Sequence, residues 1–165
     1  MADEPFVVKP AEPGDVELIL EMIKEMATAE QRAEKVSITR SALERCVFGA
    51  RPIAEVYLGY WDGDPVAYLM VQARFSSYAG DPILYVEDVF VRARSQGRGL
   101  GKLLMAHAAK LARDRGCGAM HWSVGDWNAP AMVFYDRLGG RREQGRIHYE
   151  MEGPALEALA AVAAR

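Results

Sequence analysis

A glycine-rich hexapeptide, QGRGLG at residues 96–101, lies between an almost continuously apolar segment and an amphipathic one. The apolar segment, residues 83–91, predicts a β-strand that is covered on both faces. Apolar residues recur at helical spacing after the hexapeptide, and the buried helix face they predict comprises Leu100, Leu103, Leu104, Ala108 and Leu111. A strand, a tight turn and a helix in this order restrict the chain to folds that combine both kinds of element.

Strand and helix patterns also alternate on both sides of this motif. Apolar patterns predict further strands at residues 6–9, 54–61, 66–75, 119–124 and 147–151. Helical spacing and capping residues predict helices after Gly14, at 39–49, between 127 and 140, and from Pro154 onward. With 165 residues, 50% of them hydrophobic, the chain is long enough for one α/β domain, residues 1–165, built on a mixed sheet.

The hexapeptide favours a phosphate-binding turn. Glycines between a strand and a helix let backbone N–H groups approach phosphate oxygens, and the helix N-terminus adds partial positive charge. A P-loop is excluded because Leu103, and not a hydroxyl residue, follows Lys102. The dinucleotide fingerprint G-x-G-x-x-G is also absent, since the glycines here read G-x-G-x-G. The alternative is a flexible loop that only starts a helix.

Composition excludes several classes of protein. A net charge of −3 argues against nucleic acid binding, and no apolar run is long enough to span a bilayer. The first residues lack the basic and apolar blocks of a secretory signal, and Cys46 and Cys117 form no close pair. We therefore expect a cytoplasmic protein. His121 and His148 have no metal-ligand spacing, so we expect no metal. Residues 1–91 contain 8 Lys/Arg and 16 Asp/Glu, whereas residues 92–165 contain 12 Lys/Arg and 7 Asp/Glu. An acidic half followed by a basic half suits a cationic substrate and an anionic cofactor; the alternative is an ordinary scatter of surface charges.

Gln96-x-x-Gly99-x-Gly101 matches the Q/R-x-x-G-x-G/A signature of the GNAT superfamily of N-acetyltransferases. The segments YVEDVFV at 85–91, HWSV at 121–124, DWNAP at 126–130 and FY at 134–135 resemble the branch that contains the spermidine/spermine (diamine) and thialysine acetyltransferases. The resemblance covers residues 6–151. It implies a mostly antiparallel mixed sheet, flanked by helices and splayed around the cofactor site.

The resemblance also implies that acetyl-CoA is the co-substrate and suggests where it binds. The pantetheine amides would pair with the backbone of Val89, Phe90 and Val91, as an extra strand would. The pyrophosphate would lie against Gln96, Gly97, Arg98, Gly99, Leu100, Gly101 and Lys102. Asn128 would contact the cofactor at the mouth of the splayed strands, although a residue of this type at this position is also a natural helix N-cap.

Two residues are candidates for the chemistry. Glu87 matches a glutamate near the substrate amine, and a carboxylate inside an apolar strand is expected to have a raised proton affinity. It either accepts the proton of the amine or only binds its charge. Asp88 would point to the opposite face of a regular strand, as a structural hydrogen-bonding residue. Tyr135 matches the tyrosine that acts as general acid and that also lies against the cofactor; the alternative is a core tyrosine.

The resemblance places Glu30 at a substrate-contacting glutamate, with Glu34 nearby. Ala29 replaces the aromatic residue of the diamine enzymes, and Arg146 adds a positive charge that a zwitterionic substrate would tolerate better than a polyamine. We therefore expect a small aliphatic amine, either a polyamine or a thialysine-like amino acid, acetylated by direct attack in a ternary complex. The alternatives are acetylation of protein lysines or N-termini and a silent acyl-CoA-binding module. Relatives of this kind are often homodimers, which we expect here too.

Overall fold

The computed structural model describes residues 6–163. Its strands are β1 (Phe6–Pro10), β2 (Glu55–Trp61), β3 (Asp64–Ser76), β4 (Asp81–Val91) and β5 (Ala119–Trp122). Its helices are α1 (Val16–Ala29), α2 (Arg40–Leu43), α3 (Leu100–Asp114), α4 (Ala129–Arg137) and α5 (Gly153–Val162). A π-helical turn, Glu44–Phe48, continues α2. No helix within these residues is long and apolar enough to cross a membrane.

The chain forms two compact units, Met1–Ala131 and Met132–Arg165. The first unit contains the entire sheet, in the order β1-β2-β3-β4-β5. The first three strand pairs are antiparallel, and β4 and β5 are parallel. This arrangement confirms the predicted α/β fold with a mixed, mostly antiparallel sheet flanked by helices. That residues 1–165 form a single domain stays a prediction.

The main core lies between α1 and one face of the sheet. The apolar stripe of α1 contributes Val16, Ile19, Leu20 and Met22, which pack with Leu58, Tyr68, Met70 and Phe90 from β2, β3 and β4. Helix α3 packs against β3 and β4. Its buried face is shifted from the predicted one, because Leu103 is 46% exposed while Met105 and Ala112 are buried. The face of α3 that the sheet covers therefore includes residues other than leucine, and it does not include every leucine of the helix.

The predicted last strand at residues 147–151 is wrong. These residues have no regular structure, and Ile147 and Tyr149 are 79% and 86% exposed. A strand needs a neighbour for its hydrogen-bond ladder, and the second unit, as far as residue 163, contains none. The pattern of alternating apolar residues is therefore not sufficient for a strand there. The strand predicted at 119–124 is present but shorter, since β5 ends at Trp122.

Candidate active site

A β-bulge in β4 determines where the candidate carboxylates point. Met70 pairs with Asp88, but the next residue of β3, Val71, pairs with Val86, so Glu87 is an extra residue on β4. Asp88 shares the face of its partner Met70, which belongs to the core under α1. Glu87 reaches the same face, where its Oε2 accepts a hydrogen bond of 3.1 Å from Gln72 Nε2. The two consecutive carboxylates therefore lie on one face, and the prediction that Asp88 points away from Glu87 is wrong.

Both carboxylates line a cavity of about 390 Å³ between α1, the loop after it and the sheet. This volume lies in the range of small-molecule sites. The charged residues that line it are Glu30, Arg32, Lys35, Glu87 and Asp88. Its apolar wall comes chiefly from Ile23, Met26, Ala27, Val36, Ile38 and Met70. The cavity thus combines an apolar wall with charges of both signs.

Asp88 is partly buried in this cavity, whereas Glu87 is exposed. Burial raises its pKa to about 6, and the neighbouring charges of Glu87 and Glu30 act in the same direction. Its Oδ2 accepts a hydrogen bond of 3.1 Å from the Tyr68 hydroxyl, which lowers the pKa and partly offsets burial. The Tyr68 hydroxyl also lies 3.5 Å from Met26 Sδ, and the pKa of this fully buried tyrosine is raised well above its usual value by burial.

The sequence interpretation of Glu87 needs a correction. Its side chain is exposed, so the burial that was expected to raise its proton affinity is absent. Of the two carboxylates, Asp88 is the one that is partly buried. Glu30, the C-cap of α1, lies in the same cavity as Glu87, so the structure brings the two sequence-derived substrate candidates together. Glu34 does not line it.

The strand edge beside this cavity is open in its last part. The pairing of β4 with β5 ends at Val86 and Trp122, whereas β4 continues to Val91. Val89, Phe90 and Val91 pair only with β3, through Leu69, Tyr68 and Ala67. Within the described chain, the edge of these three residues that faces away from β3 has no strand partner. An extended amide-containing ligand can pair with such an edge.

The glycine-rich hexapeptide forms a turn followed by α3. Gly97 and Gly99 have φ angles of 77° and 79°, which a residue with a side chain rarely adopts. A Cβ atom at either glycine would meet nothing within 4 Å, so the turn borders open space. Gln96 Nε2 donates a hydrogen bond of 2.9 Å to the Val91 carbonyl oxygen and ties the turn to β4.

This turn fits a pyrophosphate group. The N–H groups of Leu100, Gly101 and Lys102 belong to the first turn of α3 and have no acceptor within the helix. Arg98 adds positive charge, and its guanidinium lies 5.3 Å from the ring centroid of Trp61. Open space, free backbone donors and a helix N-terminus are the features that bind phosphate groups.

Asn128 and Tyr135 lie on either side of the boundary between the units. Asn128 Oδ1 accepts a hydrogen bond of 3.2 Å from Ala131 N, which confirms it as the N-cap of α4. Tyr135 belongs to the second unit, where its ring centroid lies 5.1 Å from that of Phe134. Its carbonyl oxygen accepts hydrogen bonds from the N–H groups of Leu138 and Gly140.

The acetyltransferase (GNAT) family model matches residues 20–140. The chain belongs to this family. The chain is 32% identical to the thialysine N-epsilon-acetyltransferase of Sus scrofa over 93% of its own length and 96% of that protein. It is 28% identical to the spermidine/spermine N(1)-acetyltransferase-like protein 1 of Homo sapiens, over 81% of this chain and 20% of that one. These relatives confirm the branch predicted from sequence.

The fold has close structural neighbours as well. An integron cassette protein from the mobile metagenome of V. cholerae superimposes with a TM-score of 0.78 at 21% identity, covering 94% of this chain and 98% of that one. The chain is thus an acyltransferase of a family that uses acetyl-CoA. Among residues 6–163, no group of three or more His, Cys, Asp or Glu side chains could hold a metal ion.

Sequence reasoning missed three features of the site. It treated Asp88 as pointing away from Glu87, and it assigned nothing to Tyr68, the hydrogen-bond donor to Asp88. It also left out Arg32, whose guanidinium lies 4.4 Å from the ring centroid of Trp127. The EDV sequence within an apolar strand was the available signal for a bulge, because a bulge allows two adjacent polar residues to share a face.

Proposed function

We propose that this chain transfers the acetyl group of acetyl-CoA to a small aliphatic amine, either a polyamine or a thialysine-like amino acid. The main support is the cavity in which Glu30, Glu87 and Asp88 face one space beside the open edge of β4. Carboxylates in such a cavity attract an ammonium group, and the apolar wall accommodates methylene groups. The names of the relatives, which include a thialysine and a spermidine/spermine-like enzyme, point to the same class of substrate.

In the proposed reaction both substrates are bound together. The neutral amine nitrogen attacks the thioester carbonyl carbon; the C–N bond forms and the C–S bond breaks. The proton lost by the nitrogen passes to Glu87, directly or through water, or Glu87 serves only to bind the charge of the amine while solvent takes the proton. The thiolate of coenzyme A takes a proton from the Tyr135 hydroxyl.

The residues of the cofactor side have proposed roles that fit this scheme. The pyrophosphate lies in the turn of Gln96, Gly97, Arg98, Gly99, Leu100, Gly101 and Lys102, and the pantetheine amides pair with the backbone of Val89, Phe90 and Val91. Free backbone donors in the turn and the open strand edge support this placement. Asn128 and Tyr135 complete the proposed contacts to the cofactor.

The test is release of free thiol from acetyl-CoA in the presence of a panel of amines. We expect thiol release with small aliphatic amines that carry a second polar end. Release only with peptides would instead favour acetylation of protein lysines or N-termini. No release with any amine would leave an acyl-CoA-binding module, which acetyl-CoA binding by calorimetry would reveal.

Replacing Tyr135 with phenylalanine tests the proposed acid. Only the proton donor is lost, so we expect kcat to fall about a hundredfold while the KM for acetyl-CoA stays the same. Tyr149→Phe is the matched control, because Tyr149 lies in the same unit and is 86% exposed. Wild-type turnover of Tyr135→Phe, with chemistry limiting the rate, would contradict the role.

We further propose that the chain is a cytoplasmic homodimer. The free thiols of Cys46 and Cys117 suit a reducing compartment. Large exposed apolar side chains in the second unit support self-association; they include Ile147, Tyr149, Met151, Leu156 and Leu159. Sedimentation velocity measures the mass in solution, and a monomer at micromolar concentration would contradict the dimer.

A further inference from the structure

The cavity contains positive as well as negative charge, which a site for a polyamine does not require. Arg32 and Lys35, in the segment after α1, line it together with Glu30, Glu87 and Asp88. A substrate with ammonium groups at both ends would be repelled by the two basic residues. A substrate with an ammonium group at one end and a carboxylate at the other would match both signs.

Arg32 is available to such a carboxylate. Among residues 6–163, no carboxylate forms an ion pair or hydrogen bond with its guanidinium, although Glu30 and Glu34 are only two positions away. Two other arginines of the fold show the contrast: Arg92 is paired with Glu21 and Glu25, and Arg115 with Glu55. The donors of Arg32 therefore remain free in a cavity that also contains three acidic residues.

The position of the Arg32 guanidinium is set by an aromatic ring. Its central carbon lies 4.4 Å from the ring centroid of Trp127, in the loop after β5. A guanidinium that rests on an aromatic ring keeps the N–H groups at its edge free for a planar, bidentate contact with a carboxylate. A lysine at this position would provide the charge but not this planar pair of donors.

We propose that Arg32, held on Trp127, binds the carboxylate of the substrate, so that the preferred substrate is an amino acid with a terminal side-chain amine and not a polyamine. This inference rests on the proposed function, because it assumes that the amine to be acetylated lies among the carboxylates of the same cavity. Lys35, which is exposed, adds positive charge beside Arg32. Arg32 is thus a specificity-determining residue, and it takes no part in proton transfer.

The experiment compares substrates that differ only in the carboxylate. Ornithine is paired with putrescine and lysine with cadaverine, and kcat/KM is measured for each with saturating acetyl-CoA. We expect wild type to prefer the amino acid of at least one pair by a factor of about ten or more, the scale of a charge-assisted hydrogen bond. Arg32→Gln is expected to abolish this preference by lowering kcat/KM for the amino acid alone, and Arg32→Lys to restore it only in part.

The control variant is Arg51→Gln. Arg51 is exposed and, like Arg32, has no ion pair within the described residues, but it does not line the cavity. We expect it to leave both substrate ratios unchanged. The KM for acetyl-CoA should be the same in all variants, since neither Arg32 nor Arg51 is among the residues proposed to bind the cofactor.

The outcomes separate this inference from the function on which it rests. The role of Arg32 would be overturned if the diamines gave at least as much thiol release as the amino acids and if Arg32→Gln left the ratio of kcat/KM within each pair unchanged. The acetyltransferase function would still stand. An equal loss for both members of a pair would also overturn it, since that result indicates a structural role. No thiol release with any amine would overturn both.

Discussion

The two sides of the proposed reaction centre are built in different ways, although both adjoin β4. The turn before α3 offers backbone N–H groups, and its shape comes from Gly97 and Gly99 at positive φ. The cavity under α1 offers side chains from α1, the following loop and a bulged strand. Local sequence is enough to specify the first kind of site. The second kind depends on which strands pair and in which register.

The comparison predicts that the turn is the more sensitive of the two sites to a single substitution. In Gly99→Val, the side chain enters the open space that the phosphate needs, and the φ of 79° is strained for valine. We expect acetyl-CoA affinity, measured by calorimetry, to fall by about a hundredfold or more, the scale of the lost charge-assisted phosphate contacts.

Gly80→Val is the matched control for Gly99→Val. Gly80 has a φ of 73° and equally open surroundings, but it lies in the β3–β4 hairpin. The same backbone strain should therefore lower the melting temperature of both variants while acetyl-CoA affinity falls only in Gly99→Val. A folded Gly99→Val protein with wild-type affinity would show that the turn is not the phosphate site.

The cavity should respond to a single charge change with a smaller effect, confined to the amine. Glu30→Gln removes one of three acidic residues, so we expect kcat/KM for the best amine to fall about tenfold, the scale of one charged contact. Glu34→Gln provides the comparison, because Glu34 is close in sequence but does not line the cavity. Steady-state kinetics in which Glu30→Gln matches wild type for every amine would place the substrate elsewhere.

A third effect concerns the free energy of unfolding. The folded-state pKa of Asp88, about 6, lies above the value near 4 expected in the unfolded chain. The folded state therefore holds this proton more tightly, and the contribution of Asp88 to the free energy of unfolding decreases as pH rises from about 4 to about 6. Asp88→Asn cannot ionise and keeps an acceptor for Tyr68. We expect the variant to gain about 1–3 kcal/mol relative to wild type across this pH range.

Urea unfolding at pH 4, 5, 6 and 7 measures this difference. Tyr68→Phe sharpens the test, because it removes the hydrogen bond that favours the ionised carboxylate. The pH dependence due to Asp88 should then move to higher pH. A free-energy difference between Asp88→Asn and wild type that does not change with pH would show that Asp88 titrates normally.

The difference between the locally specified turn and the register-dependent cavity explains which features could be predicted from the sequence. The turn at 96–101 and the helix that follows it from Leu100 are indicated by local patterns, and the structure contains both. The bulge at Glu87 depends on the register between β3 and β4, which the EDV sequence alone does not specify. The burial of Asp88 depends on that bulge, so the sequence assigned the buried carboxylate to the wrong one of two neighbours. The wrong strand at 147–151 has a similar cause, since alternation indicates a strand only where a partner exists.

The bulge limits which sequence changes β4 can accept during evolution. Before the bulge, Val86 shares a face with Val71; after it, Asp88 and Phe90 share the opposite face with Met70 and Tyr68. Losing or gaining one residue in the second half of β4 would reverse every later side chain, turning Phe90 away from the core under α1 and also displacing the turn that follows. Substitutions can therefore accumulate along β4, but changes in its length cannot. The hairpin between β3 and β4, where Tyr78 is 98% exposed, is free of this constraint, and we expect insertions to be tolerated there.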